Sequence, residues 1–273
     1  MALQYHLQID NGDVAPYCLL PGDPGRVEVV ASFWDEAHKV ADNREYVTYT
    51  GTYKGMPISC TSTGIGCPST SIALEELARC GVHTFLRIGT CGTFQDYAHV
   101  GDMLIFDAAM RYDGCGKLYA PLEMPAVANH ELISACVEAA KDLGLPYHVG
   151  TSRTIDTFYA NSPQPGGSFN EFWQSRWAEF YKDIKRLGVL GGEMESSIVL
   201  LLTRLWGLRG AAMAVCLDNI LGTMDVSVED GGYNAEEMLD HSTDNIATLS
   251  KHGSEALYKM WLQDQKTGYH GVQ

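Results

Sequence analysis

Three short apolar runs in this chain break off into glycine-rich loops, and this pattern narrows the fold more than any other feature. Tyr17-Cys18-Leu19-Leu20 runs into Pro21-Gly22-Asp23-Pro24-Gly25-Arg26. Residues 58–61 lead to Gly64-Ile65-Gly66-Cys67-Pro68, and residues 84–88 to Gly89-Thr90-Cys91-Gly92. Helix-like stretches follow the first two, over residues 27–33 and from Ser69 to a stop at Gly81. Strand, small-residue loop and helix in succession are the parts of an α/β fold. They leave backbone N–H groups and short side chains at the C-terminal ends of strands, where an anion can sit. The loops are neither a Walker A sequence nor GxGxxG, so the dinucleotide motifs do not apply. A plain turn would account for any one of them taken alone.

The rest of the chain keeps the alternation. Strands are predicted over residues 44–53, with Tyr46, Thr48 and Thr50 on one face, and over 103–109, 147–155 and 210–217. Helices are predicted over 131–143 and 198–206, with Gly144 and Gly207 as stops. Ser168 with Glu171 reads as a capping box opening an aromatic helix, whose face carries Phe169, Phe172, Trp173, Trp177, Phe180 and Tyr181. Prolines exclude a helix from residues 111–129. An acidic loop, 224–234, precedes a last covering helix from Ala235 to about Leu262. No repeat or linker interrupts the pattern. The expectation is one α/β domain over residues 1–273, with its sites at strand C-termini.

Composition removes several function classes. The 273 residues carry a formal net charge of −15, which argues against nucleic acid as a partner because phosphate neutralisation needs clustered Lys and Arg. No apolar run reaches the roughly 18 residues that span a bilayer, so no membrane partner is expected. The eight cysteines form no CxxC pair and sit mostly in apolar or Gly-rich surroundings, and no signal peptide is evident. A reducing, cytoplasmic setting without disulfides is expected. No HExxH or dense metal-ligand cluster appears.

In so acidic a chain individual arginines become informative. Arg26, Arg44 and Arg87 each stand beside glycines or hydroxyls near a strand end, with Gly22, Gly89 and Thr90 close by. Guanidinium forks match phosphate oxygens bidentately, so the recurrence points to a phosphate site. Three unrelated salt-bridged arginines are the alternative. Glu193-Met194-Glu195 precedes the most apolar helix. Carboxylates there complement the helix dipole, or one of them accepts hydrogen bonds from vicinal sugar hydroxyls. Asp218 follows a buried strand, where a carboxylate is satisfied by backbone N–H groups or used. Phosphate, hydroxyls and an acid together suggest phosphorolysis or a phosphosugar reaction.

Four motifs then resemble the nucleoside phosphorylase-I family in the right order. They are Pro21-Gly22-Asp23-Pro24-Gly25-Arg26, the stretch from Ser62 to Ser71 around Gly64-Ile65-Gly66, Leu86-Arg87-Ile88-Gly89-Thr90-Cys91-Gly92, and Gly192-Glu193-Met194-Glu195-Ser196. The resemblance covers about residues 5–220. It implies a three-layer fold with a central mixed, partly barrel-like sheet flanked by helices. It also implies phosphate held by Gly22, Arg26, Arg87, Gly89 and Thr90, with Arg44 supplied by a neighbouring subunit. Ribose would lie on Glu193, Met194 and Glu195, and His6 would reach its 5′-hydroxyl across a dimer contact. The reaction implied is attack of phosphate on the anomeric carbon of a nucleoside, with Arg87, Glu195 and Asp218 as its catalytic groups. No cofactor is required, phosphate being the co-substrate. Glu45, the backbone of Ile65, and Ser69 match positions that hold a monovalent cation between subunits in some relatives.

The base is where the resemblance divides. Residues 120–128 and Asp156-Thr157-Phe158-Tyr159 look like the uridine-cleaving branch, in which a Gln and an Arg soon follow the Phe-Tyr pair. Here Asn161 and Ser162 follow Tyr159, and the Gln-x-Arg spacing recurs only at Gln174 and Arg176. Phe158, Asn161, Gln174 and Arg176 are therefore expected to share the base, an amide and a guanidinium suiting the carbonyls and N–H of uracil. Asp218 instead matches the acid that purine enzymes place at N7, which keeps a purine nucleoside as the alternative. A hydrolytic nucleosidase and a non-enzymatic binder are further alternatives.

Overall fold

The computed structural model describes residues 3–163, 165–221, 235–269 and 271, with the backbone alone for 235–244. Ten strands form one mixed sheet among these residues. They are β1 (Tyr17–Leu20), β2 (Glu36–Asn43), β3 (Tyr46–Tyr53), β4 (Met56–Thr61), β5 (Thr84–Thr93), β6 (Met103–Tyr112), β7 (Ala126–Val127), β8 (Tyr147–Ile155), β9 (Gly191–Glu193) and β10 (Arg209–Asn219). The helices are α1 (Gly25–Ala31), α2 (Cys67–Arg79), α3 (His130–Asp142), α4 (Arg176–Arg186), α5 (Ser196–Leu205) and α6 (Ala235–Thr267).

The sheet runs β10-β6-β8-β9-β5-β1-β4-β3-β2, and β10 also pairs with β5. Five strands (β5, β10, β6, β8 and β9) thus close on themselves as a small barrel, and β1, β4, β3 and β2 continue from β5 as an open sheet. β5 is parallel to both β1 and β10, while β9 meets it antiparallel. Ala212, Ala214 and Cys216 of β10 point into the barrel with Cys91, Leu104, Phe106 and Leu190, and the small side chains suit so narrow an interior. On the open sheet, Leu19 packs with α1, α3 and α6, while Cys18 and Leu20 on the opposite face pack with α2 and α5. Period-two alternation along one strand therefore faces two helical layers. All eight cysteines are free, and seven are buried.

The predicted strands all form; most are extended by a few residues, while that expected over 44–53 begins at Tyr46, after a turn at residues 44–45. β2 has no counterpart in the sequence reading. It is a mostly exposed edge strand of charged and small residues, without the alternation that marks a half-buried strand. Residues 111–129 carry no α-helix, but they contain a 3-10 turn at Gly116–Leu118 and the short β7. Arg111 organises this stretch. Its Nη1 donates to the carbonyls of Pro121 (2.7 Å) and Met124 (2.6 Å), and its Nη2 to those of Gly116 (2.8 Å) and Ala120 (2.9 Å).

The aromatic helix requires correction. Ser168 makes no capping hydrogen bond, and only a 3-10 turn forms at Phe169–Glu171, with Asn170 and Glu171 at φ +55° and +54°. Left-handed backbone ends helical continuation there, and α4 starts at Arg176. Phe169 and Phe172 are consequently exposed, and within α4 only Tyr181 and Ile184 are buried. The expected aromatic face spans this break, so its two halves do not lie on one helix. The acidic loop 224–234 and the side chains of Met238 and Leu239 lie outside the described residues.

Candidate functional site

A cavity of about 710 Å³ opens at the C-terminal ends of β1, β4, β5, β8 and β10, a volume suited to a small-molecule substrate. Strand register brings its walls together. Leu20 pairs with Arg87, so the loop after β1 lies beside the arginine of β5. The Thr63 and Gly64 amides donate to the Pro21 and Gly22 carbonyls at 2.9 Å each, which zips the loop after β4 to the loop after β1. Gly64 has φ +69°, and a Cβ there would stand 2.7 Å from Ser69 Oγ and 2.8 Å from Glu45 Cγ. Only glycine fits this crossing.

Arg26, in the first turn of α1, and Arg87, on β5, face the same space. Burial lowers the pKa of Arg26, Asp23 opposes that, and Arg87 lowers it further. Two mutually repelling cations on one wall favour an anion between them. Gly22, Gly89 and Thr90 line the cavity beside them. A Cβ on Gly89 would lie 2.9 Å from Arg87 Nη2, so the guanidinium folds over this glycine and a side chain there would displace it.

Glu193 and Glu195, both placed at the ribose by the resemblance, take different positions in the structure. Glu193 Oε2 accepts from Arg87 Nε (3.0 Å), the Glu195 amide (2.8 Å) and the Ser196 amide (2.7 Å), while Oε1 accepts from Thr154 Oγ1. Its carboxylate is consumed in seating Arg87 and the N-terminus of α5. Glu195 Oε2 pairs with Arg87 Nη2 at 2.5 Å, and Oε1 accepts from the Gly66 amide at 2.5 Å. Burial pushes the Glu195 carboxyl upward against the pull of Arg87. Burial would lower Arg87, but the carboxylates of Glu195 and Glu193 outweigh it and hold the guanidinium charged. Met194 lines the cavity between the two acids.

Asp218 enters from β10 through a bulge. The β5–β10 register shifts between Cys216 and Asp218, which sets Asp218 opposite Gly92. A Cβ on Gly92 would collide with Asp218 and Ile220. Burial alone raises the Asp218 pKa. Phe158, Asn161, Glu45, Ile65 and Ser69 also line the cavity. Glu45 Oε1 accepts from Ser69 Oγ at 2.9 Å, and no group of three or more His, Cys, Asp or Glu among the described residues is arranged to hold a metal ion.

Four of the expected residues do not line this cavity. Gln174 and Arg176 lie exposed at the start of α4, with the Arg176 guanidinium 4.9 Å above the Trp177 ring. Arg44 is exposed in the β2–β3 turn, at φ +56°. His6 Nδ1 bonds Glu76 at 2.7 Å, and its carbonyl accepts from Asn43 Nδ2 at 2.7 Å, which sets His6 beside Arg44. In the other direction, the cavity contains a cation that the sequence reading passed over. Arg153, on β8, lines the wall beside Asn161 and Tyr181. It pairs in register with Gly192 of β9, which pairs in turn with Gly92 of β5. A lone arginine within a strand pattern gives no spacing signal.

A barrel with an open sheet extension between helical layers, and this cavity at its strand ends, define a phosphorylase-type α/β protein. The chain belongs to the phosphorylase superfamily, whose sequence profile matches residues 16–257. A uridine phosphorylase of Thermococcus kodakarensis is 45% identical over 217 residues, covering 80% of this chain and 78% of the relative. A uridine phosphorylase of Escherichia coli is 42% identical over 79% of this chain and 85% of the relative. A guanosine phosphorylase of Halorubrum lacusprofundi is 38% identical over 90% of this chain and 94% of the relative.

Proposed function

We propose that the protein cleaves uridine with phosphate, giving uracil and ribose 1-phosphate. The observation that carries this reading is one cavity holding the Arg26–Arg87 cation pair next to the Glu195 carboxylate. Phosphate lies between the two guanidinium groups and the small-residue edge of Gly22, Gly89 and Thr90. Glu195 accepts hydrogen bonds from the ribose hydroxyls and Met194 packs against the sugar. A phosphate oxygen bonds to C1′ as the C1′–N bond breaks, and the electron pair leaves with the base. The transition state places positive charge on the sugar above the anionic nucleophile, which stabilises it electrostatically. Fixing phosphate under C1′ supplies proximity and orientation.

His6 and Arg44, neighbours that do not line their own cavity, complete the site of a second subunit in a homodimer. Each chain acts as one cytoplasmic domain, and no helix among the described residues is long and apolar enough to cross a membrane. The oxygens of Glu45, Ile65 and Ser69 on the cavity rim hold a monovalent cation at that subunit boundary. Release of uracil from uridine, measured with and without phosphate, tests the reaction. Phosphate-independent release would make the protein a hydrolase, and no release would remove the uridine reading. The partly buried Asp218 carboxyl and the relative named guanosine phosphorylase support a purine nucleoside as the second reading, tested by guanosine and inosine in the same assay.

A further inference from the structure

Arg153 is only 3% exposed, yet it has no carboxylate partner among the described residues. Its Nε and Nη1 are buried without any hydrogen-bond partner. Three aromatic rings surround the guanidinium instead, with centroids 5.0 Å (Tyr181), 5.2 Å (Phe94) and 5.8 Å (Phe180) from Cζ. Ring faces attract a cation and compensate part of its lost hydration, but they accept no ordinary hydrogen bond. The remaining nitrogen, Nη2, lies 3.4 Å from where a Cβ on Gly192 would stand. The Asn161 amide satisfies all its partners when Oδ1 accepts from Arg153 Nη2 at 3.3 Å and from the Tyr181 hydroxyl at 3.1 Å, with Nδ2 donating to the Thr157 carbonyl at 2.6 Å.

A buried cation held by ring faces, with only one long hydrogen bond, is costly unless something else accepts from it. A guanidinium only donates, so its complement in the cavity is an acceptor. Phosphate is served elsewhere: β8 stands two strand spacings, about 10 Å, from β5 and its Arg87. Tyr181, Phe158 and Ile220 line the cavity together with Arg153 and Asn161, ring and apolar surface suited to a flat heterocycle.

We propose that Arg153 is the specificity-determining cation of the base subsite, its Nη2 donating to an exocyclic carbonyl of the nucleobase while Asn161 fixes its orientation. This rests on reading the cavity as a nucleoside site, and it replaces the solvent-exposed Arg176 in that role. The same contact serves the reaction. When the C1′–N bond breaks, its electron pair delocalises from the ring nitrogen onto the carbonyl oxygens, and a fixed guanidinium there stabilises the departing base. Bases carrying a carbonyl are thereby favoured over those carrying an amino group at that edge.

The test compares wild type with Arg153→Met and Arg153→Lys on uridine and on two analogues, one lacking the 4-carbonyl oxygen and one with sulfur at position 2. Arg153→Met is expected to lose about 100-fold in kcat/KM on uridine and much less on whichever analogue has already lost the contact. Arg153→Lys keeps the charge without the fork and is expected to lose about tenfold. Affinity for ribose 1-phosphate, which has no base, is expected to be unchanged. An equal loss on all three nucleosides, or a parallel loss of ribose 1-phosphate binding, would overturn the assignment. If wild type ignores uridine but cleaves inosine, the uridine reading fails while inosine against purine riboside, which lacks the carbonyl, still decides on Arg153. Calorimetric binding of free uracil and hypoxanthine decides it without turnover. Weaker binding to Arg153→Met supports the contact, and equal binding to both proteins overturns it.

Discussion

Arg87 and Glu195 are ion-paired across the cavity wall, Nη2 to Oε2, at 2.5 Å. One of these groups faces the proposed phosphate and the other the proposed ribose. The pair therefore couples the two halves of the site, because whatever draws Arg87 towards phosphate changes what Glu195 can offer to hydroxyls. Glu195→Gln keeps the shape and removes the charge. It is expected to lower kcat/KM for the nucleoside about 100-fold without raising the phosphate KM, as read from two-substrate steady-state kinetics.

Arg87→Ala acts on both substrate binding and stability. It removes a proposed phosphate ligand and leaves Glu193 and Glu195 buried without their cation. Breaking a buried pair in this way costs about 3–5 kcal/mol. The variant is expected to show a raised phosphate KM together with a lowered denaturant midpoint. A raised KM with unchanged stability would mean that the two carboxylates find another partner.

The pH dependence of stability isolates Asp218. Burial raises its folded-state pKa, so the native state holds its proton more tightly than the unfolded chain does. Its favourable contribution is complete below the unfolded value and is lost as pH rises through the folded one. Asp218→Asn removes that loss. The variant's stability relative to wild type is therefore expected to increase between about pH 4 and neutrality, as measured by urea unfolding at a series of pH values. A constant difference across that range would refute a desolvated carboxyl.

Arg111 is a structural counterpart to these site residues. Its two terminal nitrogens meet four backbone carbonyls between Gly116 and Met124. Hydrogen bonds from a charged donor are worth about 1.5–3 kcal/mol each, and they are not additive here. Arg111→Met is expected to lose about 3 kcal/mol and to open residues 113–125 to limited proteolysis before the rest of the chain.

Much of the fold was legible because its signals are local. Apolar runs ending in small residues located β1, β4 and β5 to within a few residues, and Asn129, which caps α3 by accepting from the Leu132 amide at 2.9 Å, stands where the predicted helix begins. β2 was not legible because an exposed edge strand needs no apolar face. The start of α4 was misplaced because aromatic spacing says nothing about whether Asn170 and Glu171 keep helical dihedrals.

The sequence by itself determined which residues form the two-arginine wall of the cavity. Gly22, Arg26, Arg87, Gly89 and Thr90 lie within two short motifs, where strand-end chemistry is written in consecutive residues. Tertiary structure decided the remainder, since those roles depend on residues far apart in the chain. Glu193 became a support and Glu195 remained available to the cavity only when Thr154 and Arg87, from other strands, reached them. Arg153 became the cation of the far wall because β8 carries it beside Gly192 and α4 lays Phe180 and Tyr181 against it. A linear pattern records which side chains are present; burial and register, which follow from closing the barrel, decide which of them are left with a charge or a donor to offer.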